Sequence, residues 1–283
     1  MISARNPLIS PLPRPIKHRR YSRVTAMTMC LAAKAQLGGF PRLVYCCDFL
    51  AANDYASYED VSKYELIGDG LMALYSGPVT TGEELLRLYK NSLKGVALTD
   101  DNIFTVLQKP MDEFKERVSR RTINPMSAPQ YVDLLIFGFV EATPRIFHVG
   151  QEKDLEEEAV YCVIGSGAQA AWAMLDWRGL SSMSRLDEVL YAAYEAKRIA
   201  EAGPPVGKKI TLLAFLEPAG PSEVKLEVIA HADLPLFAEA FESFGPKPLP
   251  PHWHLPGRIT GAVARSVPQS TTRDLKSPLP SQE

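Results

Sequence analysis

The chain has 283 residues, enough for one large or two small domains around a sizeable core. Its 31 basic side chains nearly balance 33 acidic ones, so nothing in the charge favours bulk nucleic-acid binding. No apolar run approaches the roughly 18 residues that a helical membrane span needs; the strongest, Y-V-D-L-L-I-F-G-F-V-E-A, is too short and carries Asp133.

Residues 1–27 hold six basic residues, four prolines and no acid. Three readings fit: a propeptide, an organelle transit peptide, or a start codon set too far upstream. The third draws on Met27, directly before Thr28, because initiation there and removal of the methionine would expose Thr28 as the first residue.

Strand signals follow closely. T-M-C-L-A-A-K and R-L-V-Y-C-C-D flank G-G-F-P, a hairpin signal. A polar, Tyr-rich connection leads to K-Y-E-L-I-G-D-G-L-M-A-L-Y-S-G, two strands around a tight turn at Gly68-Asp69-Gly70. Thr80 and Glu83 have the spacing of a capping box opening a helix. A second helix is expected from Asp101 to Arg121, kinked or broken at Pro110, its charged face solvated.

Y-V-D-L-L-I-F-G-F-V and R-I-F-H-V read as paired strands. E-A-V-Y-C-V-I then enters Gly165-Ser166-Gly167 and an Ala-rich helix to Trp177. Ser184 and Asp187 frame a further helix that reaches Glu201 and stops at Gly203-Pro204-Pro205. Two strands, K-K-I-T-L-L-A-F and V-K-L-E-V-I-A, and a short helix, L-P-L-F-A-E-A-F, close the folded part. Strands and helices segregated in this way indicate α+β layering rather than βαβ units. From Gly245 the chain carries eight prolines and little apolar period, the composition of a disordered tail. The expected organisation is an extension over 1–27, a domain over 28–244 and a tail over 245–283.

Cys30, Cys46, Cys47 and Cys162 complete the cysteines. Cys30, Cys46 and Cys47 lie in the first two expected strands, and adjacent Cys46 and Cys47 must face opposite sides of a sheet. That pattern suits buried thiols in a reducing compartment, not a disulfide framework or a zinc site. His252 and His254, in the Pro-rich tail, have no third ligand beside them, so no metal is expected.

In order, Thr28 heads one strand, Asp48 ends the next, Lys63 opens a third, and L-Y-S-G ends at Gly77 after a fourth. Lys63 and Gly77 are 14 residues apart, Asp48 and Lys63 15, and Thr28 and Asp48 20, the last including Q-L-G-G-F-P-R, where a hairpin absorbs length. Together with the strand, Gly-Ser-Gly turn and Ala-rich helix of A-V-Y-C-V-I-G-S-G-A-Q-A-A-W-A-M-L, this resembles a proteasome-type N-terminal nucleophile hydrolase over residues 28 to 216. The resemblance implies a four-layer αββα sandwich and a threonine-type peptidase or amidohydrolase in a homo-oligomeric ring. It implies a polypeptide or amide substrate, no cofactor, no nucleic-acid or membrane partner, a cytoplasmic setting, and an ATP-dependent unfoldase as a candidate partner.

The implied catalytic set is Thr28, Asp48, Lys63, Gly77 and Ser166. A threonine hydroxyl is a weak nucleophile without a base. As the first residue, its own α-amine, with a reference pKa near 8, can take the proton. Lys63 would raise the local positive potential, Asp48 would hold Lys63, and Gly77 would offer its N–H to the oxyanion. Lys63, read as a charge at the mouth of a site, is expected to matter for turnover and not for folding. The family's specificity positions fall at Ala51, Val61, Tyr75 and Val79, an apolar set that favours a small or medium apolar residue before the cleaved bond. Tyr75 either fills the pocket floor or faces the core.

Two features depart from the pattern. The segment E-A-G-P-P-V-G offers Glu201 as a late acid but no serine, and Met27 replaces the glycine that precedes an autocleaved threonine. Two other functions therefore compete: a non-catalytic ring subunit with the same fold, and an N-terminal nucleophile amidohydrolase for a small molecule.

Overall fold

The structure is a computed structural model that describes residues 24–25, 28–48, 50–53, 57–59, 62–121, 131–150, 154–202, 206–208, 211–220 and 223–246. Most of the extension over 1–27 and the tail beyond Pro246 lie outside the described residues.

Two five-stranded antiparallel sheets form the middle of the molecule. One has the order β11 (Tyr161–Ile164), β2 (Cys30–Leu37), β3 (Phe40–Asp48), β12 (Thr211–Gly220), β13 (Glu223–Val228). The other runs β10 (Glu156–Glu157), β9 (Thr143–Gly150), β8 (Asp133–Val140), β7 (Leu71–Ser76), β6 (Tyr64–Gly68). Helices α3 (Ala168–Arg178), α4 (Leu186–Ala200) and α5 (Leu234–Phe244) cover the first sheet, and α1 (Val79–Leu93) and α2 (Ile103–Arg121) cover the second.

Strand alternation distributes each strand between two apolar layers. On β2, Leu31, Ala33 and Ala35 meet the helices, while Cys30 and Ala32 meet the other sheet. On β3, Val44 and Cys46 take the helix side, and Leu43, Tyr45 and Cys47 the inter-sheet side. Cys46 and Cys47 thus face opposite layers, and all four cysteines are buried and free. Three layers of apolar contact between four layers of secondary structure make the αββα sandwich.

Several local expectations change. A small third sheet joins β1 (Val24–Thr25), from the end of the 1–27 extension, to β4 (Leu50–Asn53) and β5 (Ser57–Glu59), in what reads in sequence as a polar connection. Its residues carry no long alternating apolar run, so the sequence pattern has no period to reveal. Helix α1 starts two residues before the expected frame, after Pro78, with no side-chain cap; Thr80 lies inside the helix, so the Thr80–Glu83 box does not form. Pro78 stands at the N-cap with extended backbone, φ −61° and ψ 132°, leading into the helix. Helix α2 continues through Pro110 without a break. At the start of α4, Glu188 rather than Ser184 does the capping, accepting from the Arg185 N–H at 3.2 Å.

Candidate active site

The site is assembled where β2 begins and β3 ends. Antiparallel register sets Cys30 opposite Cys47, which brings Thr28, two residues before Cys30, beside Asp48. On the other flank β11 pairs Ile164 with Cys30, so the turn after β11 delivers Gly165-Ser166-Gly167 against Thr28. Lys63 arrives from the second sheet, directly before β6, and its carbonyl accepts from the Tyr75 N–H of β7 at 3.1 Å.

These residues meet through hydrogen bonds. The Lys63 Nζ donates to Asp48 Oδ1 at 2.8 Å, and the Thr28 hydroxyl donates to the same oxygen. The other carboxylate oxygen accepts from the Gly207 N–H at 2.8 Å. Thr28, Asp48 and Lys63 are all 0% exposed. A carboxylate and an ammonium buried this deeply require each other, because either charge alone in the interior is strongly disfavoured.

Ser166 grips Thr28 from the opposite side. Its Oγ accepts from the Thr28 N–H at 3.1 Å and lies 3.3 Å from the Thr28 carbonyl as a donor. The Gly167 N–H also donates to that carbonyl, at 3.2 Å. Gly165 has φ +99°, and a Cβ there would stand 2.2 Å from the Thr28 carbonyl oxygen. Only glycine permits both the backbone conformation and the close approach.

Gly77, φ +118°, follows β7, and a Cβ on it would lie 2.4 Å from the Tyr131 carbonyl oxygen. The glycine is therefore needed for the turn itself, two residues beyond the Tyr75 backbone that bonds Lys63.

Two neighbours were missed in sequence. Cys30 lies 3.8 Å from the Thr28 hydroxyl and donates to the Tyr75 carbonyl at 3.6 Å. Burial pushes its thiol up to about 12, against the lowering influence of Lys63, so it stays a neutral filler. Gly207 lies in the segment searched for an acid and a serine; no residue-type signal marks a backbone N–H. Glu201, the candidate late acid, instead engages Lys197 and lies 3.6 Å from Arg198.

The pocket positions divide. Val61 and the Ala51 side chain lie outside the described residues, although the Ala51 backbone belongs to β4. Val79, the first residue of α1, is 7% exposed. The Tyr75 ring is buried in the layer beneath α1, where Gly82 makes room: a Cβ on Gly82 would lie 2.2 Å from it. Burial raises the Tyr75 phenol, and Glu83 adds to that. Glu83 stands one helical turn beyond Val79, so the surroundings include an acid that an apolar reading of the pocket omitted.

No curated protein gives a significant match to the chain. The sequence model of the proteasome subunit family matches residues 43–200, more than half of the chain and the span from β3 to the end of α4. With two face-to-face sheets, helices outside both, and Thr28, Asp48, Lys63 and Ser166 joined at the strand ends, the chain belongs to the proteasome subunit family, a membership that implies assembly into ring oligomers.

Proposed function

We propose that the chain is a threonine-type peptidase subunit, with Thr28 the nucleophile once its amine is exposed. The observation that carries this reading is the buried Thr28–Asp48–Lys63 cluster, closed by Ser166 on the Thr28 nitrogen.

In the chain as it stands, that nitrogen belongs to the Met27–Thr28 peptide and cannot act as a base. Cleavage of that bond turns it into an amine. The amine takes the hydroxyl proton, directly or through one water, and Oγ1 attacks the substrate carbonyl. The Gly77 N–H receives the developing oxyanion; loss of such a donor typically costs about 3 kcal/mol. The protonated amine then returns its proton to the leaving amine, and water hydrolyses the ester. Lys63 keeps positive potential beside the reacting atoms, and Asp48 keeps Lys63 in place. Ser166 holds the amine in line.

Peptide mapping coupled to an amidase assay tests the proposal. An active preparation beginning at Thr28, inactive as Thr28→Ala, is the expected result. Full activity with residues 1–27 still attached refutes it. A fluorogenic peptide panel tests selectivity. Faster cleavage after Ala, Val or Leu than after Arg is expected from the apolar pocket positions, and Glu83 is the reason Arg belongs in the panel.

The second reading is a non-catalytic ring subunit. It is favoured by the complete burial of Thr28 and by a hydroxyl already donated to Asp48. A protein that assembles normally but cleaves no peptide after exposure of Thr28 would establish it.

A further inference from the structure

His148, Glu158 and Cys162 form a second cluster of reactive side chains, apart from the threonine site. One ligand atom from each, an imidazole nitrogen, a carboxylate oxygen and the thiol sulfur, all lie within 4.8 Å of one another. Their positions follow from the fold. On β9, Ile146 lies in the inter-sheet layer and Phe147 in the helix-side layer, so alternation returns His148 to the inter-sheet side. Cys162 of β11 lies in the same inter-sheet layer and is 1% exposed. Glu158 stands between β10 and β11, tied to β9 by its N–H on the Ile146 carbonyl at 2.8 Å. The three residues thus come from β9, one strand in from the edge of the second sheet, from β11 at the edge of the first, and from the connection between β10 and β11.

The geometry points to a binding site for a single zinc-like divalent cation, held by His148, Glu158 and Cys162. Nitrogen, oxygen and sulfur together are the donor set of borderline metals, zinc foremost, whereas calcium and magnesium take oxygens alone. Tetrahedral zinc with ordinary bond lengths sets its ligand atoms roughly 3.5 Å apart. Side-chain movements of about an ångström close the cluster onto the ion. Cys162 releases its proton to solvent and binds as thiolate. Water fills the fourth position. Asp133 Oδ1 stands 3.9 Å from His148 Nε2, beyond hydrogen-bond distance; with the ion on Nδ1, a small movement would let that carboxylate orient the imidazole.

Such an ion would clasp one sheet to the other between β9 and the edge strand β11. β11 leads directly into Gly165-Ser166-Gly167, so the clasp would also steady the turn that holds Thr28.

The test uses the full chain, purified with chelator and titrated with Co²⁺ and Zn²⁺. The expected result is one equivalent of Co²⁺ with a thiolate-to-cobalt charge-transfer band, displaced by Zn²⁺, and a melting temperature that rises with Zn²⁺. Cys162→Ser should lose the band. His148→Ala and Glu158→Gln should each weaken binding more than about 100-fold, and Asp133→Asn about 10-fold. Glu158→Gln, at a half-buried position, gives a folded variant if Cys162→Ser, at the buried one, folds poorly. Absence of stoichiometric binding overturns the inference, as does a band that survives Cys162→Ser. So does binding that persists in His148→Ala and vanishes when His252 and His254 are replaced, because the ion would then sit on the tail.

Discussion

Replacing Lys63 by alanine tests both the folding and the chemistry of the threonine site. Lys63 and Asp48 are each 0% exposed and meet at 2.8 Å. Removal of one partner from a buried ion pair leaves the other charge uncompensated, typically at a cost of about 3–5 kcal/mol. Asp48 would keep two donors, the Thr28 hydroxyl and the Gly207 N–H, which places the expected loss near the lower end, about 3 kcal/mol. For a domain of this size each kcal/mol lowers the melting temperature by about 2–4 °C, so a fall of about 6–12 °C follows. This departs from the sequence reading of Lys63 as a dispensable charge for folding, because the structure buries it. The assay is thermal and urea denaturation of wild type, Lys63→Ala, Asp48→Asn and the double variant, with amidase activity alongside. The double variant should be more stable than the sum of the single losses predicts, by about 1–3 kcal/mol, because the second substitution removes the stranded charge. Activity should vanish in all three variants. A Lys63→Ala protein within about 1 kcal/mol of wild type, or a strictly additive cycle, would refute the reasoning.

Gly165→Ala should displace Thr28, since the new methyl would stand 2.2 Å from its carbonyl oxygen at a positive φ; the measurement is loss of amidase activity together with a lower urea midpoint, and an unchanged midpoint counts against the geometry. Ser166→Ala removes the acceptor for the Thr28 nitrogen, so turnover should fall about 10- to 100-fold, corresponding to about 1–3 kcal/mol, while KM changes little. Burial raises the Cys30 and Cys46 thiols from 9.0 to about 12. The unfolded chain therefore loses these protons before the folded one does, and stability present below pH 9 should decline between pH 9 and about 12. Denaturation midpoints across that range check the sign, and native thiols should resist alkylation at pH 9 while the denatured chain reacts.

Much of the architecture could be read along the chain because alternation and helical period are local properties. The turn at Gly68-Asp69-Gly70, the strand pair around Glu141 and Ala142, and the strand–Gly-Ser-Gly–helix run of β11 and α3 are each written in consecutive residues. So was the membership of Thr28, Asp48, Lys63 and Ser166 in one constellation, through their order and spacing relative to a known family. Helix starts were less legible: the Thr80–Glu83 spacing signals a start at Thr80, whereas α1 begins at Val79, after Pro78.

What the tertiary structure alone decided concerns environment. Lys63 reads as an exposed charge because lysine is almost always exposed; it is buried because β6 and β7 bring it from the second sheet onto Asp48 of the first. Tyr75 could face a pocket or the core, and the space at Gly82 on α1 draws its ring into the core layer. Gly207 donates a backbone N–H, a property that every residue but proline shares, so composition could not single it out. The clustering of His148, Glu158 and Cys162 depends on β9 and β11, strands of different sheets, packing across the inter-sheet layer, which no local period reveals. Local periodicity sets which face of each strand is apolar, whereas the partners that a buried polar group finds are set by how distant segments pack.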